Sequence, residues 1–145
     1  MIVEHPELLK AIEVRLVHRL MPMIKAVFQW KADYIERFLI VRYTAADRGF
    51  FVAHRDDVVA GAAHRKFALT INLNAEDFVG GDLRFPEFGP RAYRPPTGGA
   101  TVFSCSLLHE VLPVTEGVRY AFVPFLYDEA GEKIRLANQG LIGKA

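Results

Sequence analysis

The chain has 145 residues, room for one domain whose core buries about two-thirds of the surface an unfolded chain exposes. Hydrophobic residues make up 51% and charged residues 24%, a globular balance that excludes a large disordered segment. Lysine and arginine total 18 against 17 acids with the signs interspersed, so no basic stripe exists for nucleic acid or an anionic membrane surface.

The N-terminus, MIVEHPELLK, carries acids where a signal peptide would be basic, and no apolar stretch approaches the ~18 residues of a membrane span. The lone Cys105 cannot form an internal disulfide, which fits a reducing, cytoplasmic setting. From Glu7 to Phe28, the residues Leu8, Leu9, Ile12, Leu16, Leu20 and Ile24 recur at amphipathic-helix spacing and predict a face that packs on a core. Pro22 should kink or split that helix, because proline lacks the amide proton and clashes with the preceding turn.

After Lys31 the chain becomes β-branched and aromatic. Runs at Tyr34 to Tyr43, Phe50 to His54, Lys66 to Asn74, Asp82 to Phe85, Thr101 to Phe103 and Val118 to Tyr127 are punctuated by turn-forming clusters. Many short strands after one helical segment predict a mainly β sandwich or jelly roll with helices on one side. No repeat or linker divides the chain, so a single domain is expected over 1–145, with a helical segment at 1–30, a β core at 34–129 and a tail at 130–145.

Two histidines and a carboxylate on one face, with other coordination positions open, are what iron(II) oxygenases need to admit both co-substrate and oxygen. His54-Arg55-Asp56 offers two such donors, since residues two apart on a strand point the same way. The spacing alone is weak, because composition produces about 0.6 such pairs in a chain like this. His5-Pro6-Glu7 has the same form but opens a helix, where residues two apart diverge. The apolar run Phe50-Phe51-Val52 leading into His54 marks the second pair as a strand entering a pocket; an exposed strand end is the plain alternative.

A third donor, His109, lies next to the Thr101 to Leu108 stretch, although a histidine satisfied by hydrogen bonds at a strand end would look the same. Arg119 follows ten residues later, among Tyr120, Ala121, Phe122, Val123 and Phe125. A guanidinium entering so apolar a strand is costly unless an anion meets it, and a carboxylate would satisfy its planar fork best.

The order His54-x-Asp56, His109, Arg119 resembles the double-stranded β-helix of the 2-oxoglutarate and iron(II) oxygenases, most closely their prolyl 4-hydroxylase-type branch. Leu69 to Gly89 (LTINLNAEDFVGGDLRFPEFG) is similar to that branch's strand, acidic turn, double glycine and following strand, and Gly98 to Glu129 to its closing strands. The resemblance runs from about Phe38 to Glu129. It implies a double-stranded β-helix (jelly roll) with the N-terminal helices packed on one side. His54, Asp56 and His109 would be the iron ligands, and Arg119 the partner of the 2-oxoglutarate C5 carboxylate. Tyr43 and Asn72, or Thr70 on the same face of its strand, would supply further co-substrate contacts, and no catalytic side chain beyond the metal centre is implied. The cofactors would be iron(II), 2-oxoglutarate and dioxygen, with ascorbate as reductant. The reaction would hydroxylate an unactivated C–H bond, of a peptidyl proline or another side chain, releasing succinate and carbon dioxide.

Two departures stand out. Phe51 sits three residues before His54, where many relatives have tyrosine, and Arg119 replaces the lysine of the collagen-type enzymes, which argues against their substrate. Gly80 and Gly81 resemble the family's strand-opening pair, though a turn needing positive φ explains them equally. The rival readings are a non-catalytic cupin-like metal- or ligand-binding barrel, which would have no need of Arg119, and a metal-free interaction sandwich. The primary substrate, protein side chain or small molecule, and the oligomeric state are not legible. The loops at Thr44 to Gly49 and Asp57 to Arg65 should border the mouth; the small, flexible composition of the second allows a lid without requiring one, with His64 and Arg65 solvated or touching substrate.

Overall fold

A computed structural model of the chain describes residues 1–46 and 50–139. The helical periodicity is realised as α1 (Pro6–Arg15), a π-helical segment (Leu16–Leu20) and α2 (Met21–Phe28). Pro22 accounts for the middle piece: it has no proton to give the His18 carbonyl, and the Met21 N–H reaches back five residues to Leu16 instead. Leu16 and Ile24 are buried, whereas α1 buries no residue, so the predicted packing face is used mainly by α2.

The strands follow as β1 (Tyr34–Glu36), β2 (Ile40–Thr44), β3 (Phe51–His54), β4 (Phe67–Asn72), β5 (Phe78–Gly80), β6 (Leu83–Arg84), β7 (Ala92–Tyr93), β8 (Ala100–Ser104), β9 (His109–Val111), β10 (Val114–Phe122) and β11 (Phe125–Tyr127). Two runs that read as single strands are each broken. Arg37 interrupts the first with φ +63°, and Pro124 interrupts the second. The breaks match, since β1 pairs with β11 and β2 with β10, and the Val123 N–H closes the junction on the Leu39 carbonyl at 3.0 Å.

All the strand pairs are antiparallel. The larger sheet runs β1-β11-β4-β10-β2, with β5 added to β10 and β8 to β4, and the smaller one runs β3-β9-β6-β7. This is the mainly β, double-stranded β-helix with N-terminal helices that the resemblance implies. Alternation along β4 divides the core: Ala68 packs with Leu83, Phe85, Phe103, Cys105 and Phe125, while Leu69 packs with Leu126 and with Ile24 of α2.

The segment read from sequence as a tail is helical over α3 (Glu129–Asn138), and residues 140–145 of that tail lie outside the described ones. Asp128 caps α3 by accepting from the Gly131 N–H at 2.8 Å and also accepts from the Trp30 indole N–H at 2.8 Å, tying the helix to the N-terminal segment.

Candidate metal and co-substrate site

β3 ends at His54 and β9 begins at His109, and the two residues are register partners across the smaller sheet, so antiparallel pairing alone sets the imidazoles side by side, 4.3 Å between ring centroids. Asp56 lies just past the end of β3, in a bend, and its N–H is held by the Cys105 carbonyl at 2.9 Å. Its carboxylate reaches both rings, Oδ1 at 3.3 Å from His54 Nε2 and Oδ2 at 3.4 Å from His109 Nε2. One donor atom from each residue falls within 4.8 Å of the other two, the only such group of three among the described residues. His5 caps α1 without a side-chain bond and belongs to no such group.

The imidazole tautomers follow from their backs. His54 Nδ1 lies 2.8 Å from the Val52 carbonyl and His109 Nδ1 3.0 Å from the Leu107 carbonyl; a carbonyl only accepts, so each Nδ1 carries the proton. Both Nε2 lone pairs then point at the oxygens of Asp56. Without a cation, that geometry sets lone pair against lone pair; a divalent ion satisfies all three donors at once. Two nitrogens and a hard oxygen suit iron(II).

Burial pushes His109 below the ordinary histidine value, which keeps it neutral as a ligand must be. For His54, burial acts downward but is outweighed by the hydrogen bonds its protonated ring gives to Asp56 and to the Val52 carbonyl, so its value is raised. Phe103 and Phe85 pack on His109, and the intervening Arg55 turns away to pair with Glu87 at 2.7 Å and to donate to the Ser106 carbonyl, which anchors the His54–Asp56 bend.

Arg119 enters the same pocket from β10 of the larger sheet. It is 3% exposed and makes no ion pair among the described residues; Nε donates to Asn72 Oδ1 at 3.3 Å and Nη2 to Thr70 Oγ1 at 3.0 Å. Burial lowers its value from that of a free guanidinium. Tyr43, its register partner on β2, places its ring 5.3 Å from the guanidinium carbon, and burial raises the Tyr43 phenol. Gly81 has φ +69°, and a Cβ there would stand 3.0 Å from Arg119 Cδ, so its missing side chain makes room for the arginine stem.

Of the expected co-substrate contacts, Tyr43 and Thr70 line the pocket. Asn72 does not; it supports Arg119 from behind, with its own amide donated to the Pro95 carbonyl at 2.8 Å.

The expected solvation of His64 and Arg65 is overturned. His64 is 2% exposed, its Nε2 is 2.9 Å from Glu36 Oε2, and Arg65 Nε donates to Glu36 Oε1 at 2.5 Å. Ala62 is buried in a 3-10 turn (Ala60–Ala62), Asn138 of α3 donates to the Ala60 carbonyl at 2.8 Å, and the Ser106 hydroxyl donates to Asp57. The small residues let Ala62 and His64 sit buried, while Val58, Val59 and Ala60 stay exposed. The other loop expected at the mouth includes Asp47 to Gly49, outside the described residues. The sequence also gave no reason to single out Arg37, which lines the pocket; its interruption of a β-branched run shows only in its positive φ.

Comparison with known proteins agrees with this geometry. The model of the 2OG-Fe(II) oxygenase superfamily matches residues 38–127. A PKHD-type hydroxylase of Synechococcus sp. (strain JA-2-3B'a(2-13)) is 37% identical over 79 residues, 50% of this chain and 35% of that protein. A PKHD-type hydroxylase of Idiomarina loihiensis is 30% identical over 91 residues, 61% of this chain and 41% of that one. The chain thus spans well under half the length of these curated relatives. Among solved structures, a 2OG-Fe(II) oxygenase family oxidoreductase from Burkholderia pseudomallei superposes with TM-score 0.62 at 25% identity, covering 79% of this chain and 55% of its own. A Pseudomonas putida prolyl-4-hydroxylase shares the fold, with TM-score 0.62 at 22% identity over 81% of this chain and 64% of its own. With the family model covering most of the β core and the His-Asp-His cluster and arginine inside the matched residues, the chain belongs to the 2OG-Fe(II) oxygenase superfamily.

Proposed function

We propose that the chain is a 2-oxoglutarate- and iron(II)-dependent dioxygenase that hydroxylates an unactivated C–H bond and releases succinate and carbon dioxide. His54, Asp56 and His109 hold the iron, and Arg119 holds the C5 carboxylate of 2-oxoglutarate. The observation that carries this reading is Arg119 itself: a buried cation whose hydrogen-bond partners are two neutral oxygens, in a pocket shared with three metal-competent donors. Removing a guanidinium from water costs several kcal/mol unless an anion compensates, and the described protein offers none within ion-pairing distance. A cupin-like barrel that only binds metal would leave that cost unmet.

Iron(II), 2-oxoglutarate and dioxygen supply the oxidising chemistry when bound, with ascorbate as reductant. The chain's residues bind and orient. The Val52 and Leu107 carbonyls fix both imidazoles with Nε2 forward, and Asp56 completes the face. Thr70 and Asn72 hold the Arg119 fork in the plane needed for two parallel bonds to a carboxylate, which directs the keto-acid end of the co-substrate at the cluster. Phe103 and Leu83 give the pocket an apolar lining beside the centre.

For the primary substrate, the reading is a peptidyl proline or another side chain, the first supported by the name of the Pseudomonas putida prolyl-4-hydroxylase. The reading extends to a single domain working in the cytoplasm, a setting the one buried thiol supports; among the described residues no helix is long and apolar enough to cross a membrane. Anaerobic titration with iron(II) and 2-oxoglutarate, followed by admission of oxygen, tests the reading. Stoichiometric metal binding and succinate formation are expected, and a protein that binds neither ligand is not an oxygenase.

A further inference from the structure

Arg37 is one of two non-glycine residues with positive φ among those described, at +63°. The other, Gln29, ends α2, where a left-handed residue is the ordinary stop signal. Arg37 terminates no helix. A side chain held in that region costs energy and persists where the surroundings over-determine it, often at ligand-binding positions. Here the turn, closed by the Leu39 N–H on the Arg37 carbonyl at 2.7 Å, breaks a strand and carries the side chain into the pocket of the candidate metal site.

The guanidinium carbon lies 5.7 Å from the centroid of the Phe125 ring, and Phe125 lines that pocket. The acid beside it in the chain is already matched: Glu36 is bonded to His64 and Arg65, whereas the Arg37 side chain has no hydrogen bond or ion pair among the described residues.

The charge balance of the loaded site gives this solitary cation a meaning. An iron(II) ion, the Asp56 carboxylate, the Arg119 guanidinium and the 2-oxoglutarate dianion together sum to zero. Arg37 is therefore a surplus positive charge at the mouth of an otherwise neutral pocket. Electrostatic complementarity selects the sign of whatever docks there.

We infer that Arg37 is a specificity-determining residue that receives an anionic group, a carboxylate, of the primary substrate, so that the oxidised carbon lies beside an acid. The inference rests on the oxygenase reading and narrows it. The carboxylate belongs either to an acidic residue next to the target in a peptide or to a free organic acid. The preformed left-handed turn spares the substrate the cost of ordering the arginine.

The test uses the full chain loaded with 2-oxoglutarate and manganese(II) in place of iron, so that binding is measured without turnover. Probes are pools of blocked hexapeptides with one fixed Glu, Gln or Lys, and a parallel set of free mono- and dicarboxylic acids with their amides. Wild type is expected to bind the Glu pool, or the free acids, about tenfold more tightly than the uncharged counterparts, the worth of one charge-assisted contact. R37A should abolish that preference and R37E should invert it toward the Lys pool. R37G, which relieves the positive-φ strain, should fold normally yet lose the preference. Response to free acids alone assigns the carboxylate to a small molecule; response to peptides alone assigns it to a protein.

All four proteins are still expected to bind 2-oxoglutarate. A wild type that fails to bind 2-oxoglutarate sinks the oxygenase reading instead. Equal binding of acidic, neutral and basic probes by wild type, or an acidic preference that survives in R37A and R37G, overturns the role of Arg37.

Discussion

Asn72 faces Arg119 with its oxygen, Oδ1 lying 3.3 Å from the guanidinium Nε, while its amide nitrogen is given to the Pro95 carbonyl. A neutral oxygen holds the arginine in place without neutralising it. The distinction is testable, because Asn72→Asp keeps the oxygen and adds a permanent counter-charge. That carboxylate would satisfy Arg119 internally and repel an incoming dicarboxylate, so 2-oxoglutarate affinity should drop at least tenfold, below that of Asn72→Ala. Calorimetric titration of the two variants decides it, and an Asn72→Asp protein that binds as well as wild type would mean that Arg119 does not meet the co-substrate.

Metal binding should depend on pH in a direction set by the two histidines. His54 has a raised value once folded, with burial outweighed by the Asp56 and Val52 hydrogen bonds. In the metal-free protein its protonated form therefore contributes stability that is fully present below the unfolded value of 6.5 and lost as pH rises through the raised folded value. A metal ion needs the neutral ring, so metal affinity should move the opposite way, falling as pH is lowered through that same region. His109→Ala should remove metal binding and leave the fold intact, while His5→Ala, at the start of α1, changes neither. Metal affinity in His109→Ala equal to that of wild type would reject the ligand set.

How much of this was legible in the sequence depended on whether a feature is local. The His54–Asp56 pair, His109 and Arg119 stand out because polar groups interrupt apolar runs, although Asp56 joins the cluster from a bend past β3 and Arg119 from the other sheet rather than by strand alternation. The helix break at Pro22 follows from one missing proton. What escaped is non-local. β5, β7 and β9 are each 2 or 3 residues long and exist only through their partners, too short for any periodicity to announce them. The fixed state of the Asp57 to Arg65 loop depends on Glu36, nearly thirty residues upstream, and the exposed Arg37 looks like any surface cation until its φ is known.

The clasp on that loop makes its own prediction. Glu36 is partly buried, and although burial favours its neutral form, the bonds from His64 and Arg65 prevail and hold it below the usual carboxylate range. A depressed carboxylate contributes stability present above the unfolded value of 4.5 and lost as pH falls through the folded one. Glu36→Gln should therefore cost about 1–3 kcal/mol at neutral pH, less in acid, since it weakens two charge-assisted contacts of a half-buried group. Limited proteolysis reads the same change: resistance around Ala60–Ala62 in wild type, and cleavage there in Glu36→Gln. Ready cleavage of wild type at that site would favour a lid.

The account turns on what Arg119 is for, and calorimetric titration of 2-oxoglutarate into metal-loaded wild type, Arg119→Lys and Arg119→Ala measures it directly. A bidentate carboxylate contact contributes about 1.5–3 kcal/mol per charge-assisted bond, so Arg119→Ala should lose at least tenfold in affinity while still binding metal. Arg119→Lys, which keeps the charge but not the planar fork, should fall between the two. An Arg119→Ala protein that binds 2-oxoglutarate as tightly as wild type would contradict the assignment of this pocket to the co-substrate.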